Sequence, residues 1–189
     1  METQTEAQAT GRPRSFIQRM IGAAMLDVDT YEEVEHDLDA TLQAAGVVAL
    51  VAVCAAVGGA SHGEGGIIAR PIGSLLGWIV WAGMTFFIGT RLFDGVATWG
   101  EMLRTIGFAH APGVLFVVSG FPLLGGLIAA AASIWMLIAG IVAIRQGLDI
   151  STGKALITVF LGWLAMVVVA VAVGLLFGVP AAIFGSVAG

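Results

Sequence analysis

The chain has 189 residues, is 58% hydrophobic and only 11% charged, and carries a net charge of −5. Soluble domains average about 25% charged residues, so too few charges are present to cover a water-facing surface. The acidic balance excludes a basic nucleic-acid-binding face, and the single cysteine, Cys54, excludes an internal disulfide.

Residues 1–13 are polar and read as a cytoplasmic tail. No cleavable signal peptide is expected, because the apolar stretch that opens at Phe16 is interrupted by Gln18 and Arg19. From Arg14 to Leu26, Phe16, Ile17, Met20, Ile21 and Ala24 recur at helical spacing. That pattern predicts an interfacial helix whose Arg14 and Arg19 meet anionic lipid headgroups. Thr30 with Glu33 three residues later has the form of a capping box and predicts a helix start near Tyr31. On this helix Tyr31, Val34, Leu38 and Leu42 share a face, while Asp27 to Asp39 contribute seven of the thirteen acids. So acidic a helix should avoid an anionic membrane and set its apolar face against protein.

Five long apolar segments follow, at about 41–60, 71–93, 102–119, 123–144 and 152–178. Apolar stretches of about 18 residues or more read as membrane helices, and closed barrels would need short alternating strands instead. The expected fold class is an all-α membrane protein with five transmembrane helices and an N-terminal amphipathic and acidic helical segment. The expected division is a tail over 1–29, an acidic helix over 30–41 and a membrane domain over 42–189. Pro71 suits a first helical turn, whereas Pro112 inside the third span should kink it and free a carbonyl near Phe108 or His110. Gly73-xxx-Gly77, Ala129-xxx-Ser133 and Gly174-xxx-Gly178 would admit close helix approach, within the bundle or between copies.

Seven of the eight Lys and Arg residues, all but Arg70, fall at the tail or at alternate span ends. Cytoplasmic loops collect basic residues, so the N-terminus is expected in the cytoplasm and the C-terminus outside. Arg91 with Asp94, Glu101 with Arg104, and Arg145 with Asp149 are spaced to pair along helix faces. Together with the acidic helix they suggest a charged cytoplasmic layer. His110 is the only ionisable side chain deep in a span, and either a structural bond to a carbonyl or a proton-relay role would explain it.

The run from Gly147 to Ala155 fails as a phosphate loop: its spacing is one residue too long, Ala155 replaces the metal-binding hydroxyl, and no strand precedes it. Ser151 or Thr152 should instead cap the fifth span, with Lys154 reaching the headgroups. His62-x-Glu64 lacks the paired cysteines of a deaminase and reads as a loop. No catalytic, metal or cofactor set is expected.

Three blocks resemble the bacterial branch of the Yip (Ypt/Rab-interacting protein) domain family. They are the acidic helix before the first span, Trp99-Gly-Glu-Met-Leu-Arg-Thr-Ile-Gly-Phe-Ala-His-Ala-Pro112, and Ala143-Ile-Arg-Gln-Gly-Leu-Asp-Ile-Ser-Thr-Gly-Lys-Ala155. The resemblance implies a five-span membrane adaptor with a cytoplasmic N-terminus. Its eukaryotic members are linked to Rab-type GTPases and vesicle transport. The Asp-Leu-Tyr-Gly-Pro motif of those members is absent, with only Asp29-Thr-Tyr31 comparable, and Gly107-Phe108 stands where Gly-Tyr is usual.

The expected function is therefore that of a non-enzymatic protein of a bacterial inner membrane that organises protein partners or lipids. Membrane lipids, a second copy of the chain, and a cytoplasmic protein meeting residues 1–40 are the expected partners. The alternative is a small-solute or ion transporter using the kinked third span. The candidate functional residues are Glu101, Arg104, His110, Pro112, Arg145, Asp149 and Lys154.

Overall fold

A computed structural model of the chain describes residues 14–60 and 69–176. The tail before Arg14, the His62/Glu64 loop and the end of the fifth expected span, with its Gly174-xxx-Gly178 motif, lie outside the described residues. The described residues form seven α-helices and one 3-10 helix, and no strand. The order is α1 (Phe16–Ala24), α2 (Val28–His36), α3 (Ala40–Gly59), α4 (Ala69–Leu92), α5 (Trp99–Phe108), the 3-10 helix (Ala111–Val118), α6 (Gly125–Gly147) and α7 (Thr152–Leu176).

Four of these helices, α3, α4, α6 and α7, are long and apolar enough to cross a membrane. They correspond to the first, second, fourth and fifth expected spans. The third expected span is not one helix but two short ones, α5 and the 3-10 helix, with Ala109 and His110 between them. The break has a local cause. Pro112 has no amide hydrogen to donate and its ring crowds the preceding turn, so the α-helix stops and the chain continues in the tighter form. The amide of His110 already bonds to Gly107 O (3.2 Å), three residues back.

This broken segment runs beside α3 and in the same direction. A Cβ on Gly107 would strike Ala44, one on Gly113 would strike Val51 and Met136, and one on Gly58 would overlap the Phe116 carbonyl and the Ser119 hydroxyl. Contact thus steps from one end of α3 to the other, with glycine at each close approach. The motif glycines behave differently. A Cβ on Gly73 or Gly77 would meet nothing within 4 Å, so among the described residues this pair packs against no helix.

The N-terminal helices lie against the bundle. Helix α1 is closed at its start by a capping box of Ser15 and Gln18. It runs along the flank of α5 and the 3-10 helix, with Phe16 edge-on to Phe108 at 6.5 Å. At its far end the Trp135 indole, near the middle of α6, donates to Ala24 O (2.7 Å). Ile17, Ile21 and Met25 form its outer stripe, 59–70% exposed. Arg19 points the other way and is 2% exposed, so it does not reach headgroups as the periodicity suggested.

Helix α2 starts at Val28, three residues before the expected position, with Asp27 at the cap. Thr30 lies inside the helix, where its hydroxyl donates to Asp27 Oδ2 (2.7 Å). Tyr31 and Val34 are fully buried, but Leu38 and Leu42 are 78% and 82% exposed. The expected shared face ends because α2 stops at His36 and Asp37 is extended, turning the chain before α3.

The described basic residues separate by end. Residues 27–39, 93–98 and 145–154 gather at one end: Val96 N donates to Leu148 O (3.0 Å) and Gln146 Nε2 to Glu32 Oε1 (3.5 Å). Arg70 sits at the other end, donating to Ala55 O (3.2 Å).

Candidate functional site

Two buried arginines build the charged end. Arg19 bonds Glu33 through Nε (3.0 Å) and Nη2 (2.9 Å), Gln43 through Nη1 (3.1 Å), and pairs with Asp37 at 2.6 Å. Arg14 adds pairs to Asp27 (3.2 Å) and Glu33 (3.6 Å). The Tyr31 hydroxyl donates to Ala23 O (3.0 Å), closing α1 and α2 into a hairpin. Pairing a buried guanidinium with two carboxylates and an amide offsets the desolvation that isolated burial would cost. The Arg19 hydrogen bond holds the Asp37 carboxyl below its ordinary range, against the opposing effect of burial.

Arg104 ties that hairpin to the bundle. It projects from α5, is 3% exposed, and donates through Nε to Val34 O (3.0 Å) and Glu35 O (2.9 Å). Its Nη2 also reaches Glu35 O, and Nη1 reaches Thr41 Oγ1 (3.4 Å). The last carbonyls of a helix lack internal partners and carry partial negative charge, so a guanidinium there both caps α2 and complements its dipole. The acidic helix does meet Arg104, but through backbone carbonyls and not through carboxylates.

The Glu35 side chain is buried beneath this contact. Burial pushes its carboxyl up to about 7; His36 opposes this, while Asp149, Glu101 and Glu32 reinforce it. His36, on the surface, is raised by its bond to Glu32 O (2.9 Å). The negative charges of α2, α5 and the turn after α6 thus bear on one carboxyl. Among the described residues no group of His, Cys, Asp and Glu is placed to hold a metal ion.

The other charged candidates have local partners that differ from the expected ones. Glu101 closes a capping box with Thr98, accepting from its amide at 2.6 Å, so it starts α5 and leaves Arg104 to α2. Arg145 Nε donates to Gln146 Oε1 (2.9 Å). Asp149 follows the end of α6 at φ 52°, and Asp94 follows α4 at φ 55°. Both occupy the left-handed region that ends a helix, which asparagine and aspartate tolerate better than most residues. Neither continues the helical spacing that a pair with Arg145 or Arg91 required. Lys154 Nζ donates to Phe93 O (3.1 Å), stapling the start of α7 to the end of α4, and Ser151 Oγ accepts from Lys154 N (3.5 Å).

His110 and Pro112 lie away from this layer, at the break in the third segment. His110 Nδ1 is 2.8 Å from Ile106 O, the carbonyl released when the backbone tightens ahead of Pro112. The structure thus brings Glu101, Arg104, Arg145, Asp149 and Lys154 to one end, and keeps His110 and Pro112 within the bundle. The sequence pattern assigns Arg19 to headgroups and Glu33 to a capping box, and does not show the pairing of Arg19 with Glu33 and Asp37. Their separations of 14 and 18 residues exceed the helix-face spacing used to seek pairs.

Four long apolar helices and a charged layer at one end define a multi-pass helical membrane protein. Its sequence matches the Yip1 domain family over residues 13–187, and the chain belongs to that family. No curated protein and no solved structure matches it.

Proposed function

We propose that this Yip1-family protein is a non-enzymatic membrane adaptor that presents its α1–α2 hairpin to partners at the cytoplasmic face of a bacterial inner membrane. One observation carries the reading: buried Arg19 and Arg104 hold the hairpin rigidly against the bundle, while Leu38 and Leu42 remain exposed beside acidic residues. An exposed apolar pair on a fixed acidic platform suits a protein partner with a basic rim. The outer stripe of α1 suits the lipid leaflet, and Ser133 on the outer face of α6 leaves room for a second copy.

Five crossings fit this arrangement. Ten α-helical residues rise about 15 Å and eight 3-10 residues about 16 Å, close to the roughly 30 Å of hydrocarbon. Placed along α3, the broken segment is long enough to be the third pass, leaving the N-terminus cytoplasmic and the C-terminus outside. Its polar groups face protein, where irregular backbone is tolerated in a membrane. Ion passage is not supported: among the described residues the clefts beside His110 are lined by no Asp, Glu, Lys or Arg, and Glu101 and Arg104 are engaged elsewhere.

A photo-crosslinking residue at Leu42 tests the adaptor reading in cells. It should capture a discrete protein, and Arg104→Gln should reduce that capture severalfold. Crosslinks at Leu42 that match those at lipid-facing Trp163 would contradict it.

A further inference from the structure

Two clefts of about 260 and 320 Å³ open at the surface of the bundle and share Trp81, His110 and Met136. The imidazole therefore stands where they meet. Gly77 lines one cleft and Gly140 the other, and a Cβ at either would meet nothing within 4 Å. At Gly58, Gly107 and Gly113, by contrast, a Cβ would strike a neighbour. Gly77 is exposed and Gly140 partly so, and with no side chain at either the mouths of the clefts stay open.

The polar chemistry at the junction is equally restricted. A carbonyl only accepts, so the 2.8 Å contact to Ile106 O places the Nδ1 proton between them. In the neutral ring that assignment makes Nε2 an acceptor. Among the described residues no Asp, Glu, Lys or Arg lines either cleft, so a charged guest would lie uncompensated in low dielectric. Apart from His110 and from Ser74 and Ser133, one in each cleft, the walls are Trp81, Met136 and other apolar residues, which favour an apolar body. Binding sites for small molecules combine such walls with one or a few placed polar groups and start near 300 Å³.

The geometry points to a binding site for a neutral, lipid-soluble molecule carrying a hydroxyl group, which donates its hydrogen to His110 Nε2. The apolar body lies against Trp81 and Met136 and extends into the space left by Gly77 or Gly140. The site is separate from the charged end, so it stands or falls independently of the adaptor reading.

Photolabelling of the full chain in phosphatidylcholine nanodiscs tests this. The probe is a 4-alkylphenol with a diazirine in its alkyl chain, compared with its methyl ether, which has the same shape but no donor. The phenol should label saturably at residues around Trp81 and Met136, and the ether about tenfold more weakly. His110→Phe should reduce phenol labelling to the level of the ether, and Gly140→Leu, which adds bulk only to open space, should abolish it. Unsaturable labelling that is equal for phenol and ether, and spread over lipid-facing residues such as Phe160 and Trp163, would overturn the site in favour of filling by acyl chains. If His110→Phe does not fold, the phenol-to-ether ratio on the unaltered chain and the Gly140→Leu result still decide.

Discussion

Helices α3 and α7 are alike in length and apolarity, yet they live in different surroundings. In α3, 39% of the span is buried within the protein, against 17% in α7. The difference comes from what each touches. Helix α3 receives the broken segment along its length, through glycines that let backbones meet, whereas α7 turns Phe160, Trp163 and Val168 outward. Hydropathy alone does not separate the two. In a bilayer there is little hydrophobic gain from helix association, so close steric fit decides which apolar surface meets protein and which meets lipid.

Substitutions on the two sides of this contrast should therefore diverge. The largest effect is expected at the glycines. Gly58→Leu forces atoms into the Phe116 backbone and should cost about 3 kcal/mol, while Gly140→Leu should change stability by less than about 0.5 kcal/mol. Unfolding titrations of the purified protein in mixed micelles would measure both, and equal losses would erase the distinction. A smaller gap is expected between tryptophans. Trp78 is buried and donates from Nε1 to Leu103 O (3.0 Å), so Trp78→Phe should lose about 1 kcal/mol. Trp163→Phe, on the lipid face, should lose almost nothing.

Four of the apolar stretches were legible because length and apolarity alone make a segment able to span a bilayer. The third was legible in part: Pro112 announced a break, but not that an eight-residue 3-10 helix would follow it. Glycine spacing was a poor guide. Gly73-xxx-Gly77 matches the association motif and meets none of the chain's described residues, whereas Gly58, Gly107 and Gly113 share no such spacing and make the contacts. Charge pairing was misread for a related reason. The i to i+4 rule sees one helix, whereas Arg19 reaches Glu33 and Asp37 across a turn, and Arg104 reaches carbonyls about 70 residues away. Backbone acceptors leave no mark in a side-chain pattern. The charged end could be anticipated as a place, then, but its wiring could not.

An effect as modest as that of Trp78→Phe concerns pH at the charged end. Glu35 is held at about 7 against an ordinary 4.5, so between these values the docked state keeps a proton that the undocked state releases. Docking is then favoured at the acid side of the window and weakens as pH rises through about 7. Hydrogen exchange of α2, corrected for intrinsic rates, should show protection falling by on the order of 1 kcal/mol between about pH 5 and pH 8. Glu35→Gln should flatten that profile, and a flat profile in the unaltered chain would remove Glu35 from the account.

The central claim is that Arg104, through the carbonyls of Val34 and Glu35, pins the hairpin to the bundle. Its most direct test is hydrogen exchange of residues 28–36 in nanodiscs, compared between Arg104→Gln and Arg145→Gln. Both variants remove one arginine from the same charged end. The account predicts that Arg104→Gln loses protection across α2 by tenfold or more, as expected for charged hydrogen bonds of about 1.5–3 kcal/mol, while Arg145→Gln leaves it unchanged. Equal loss in both variants would reduce the contact to general charge, and unchanged protection in Arg104→Gln would contradict the claim.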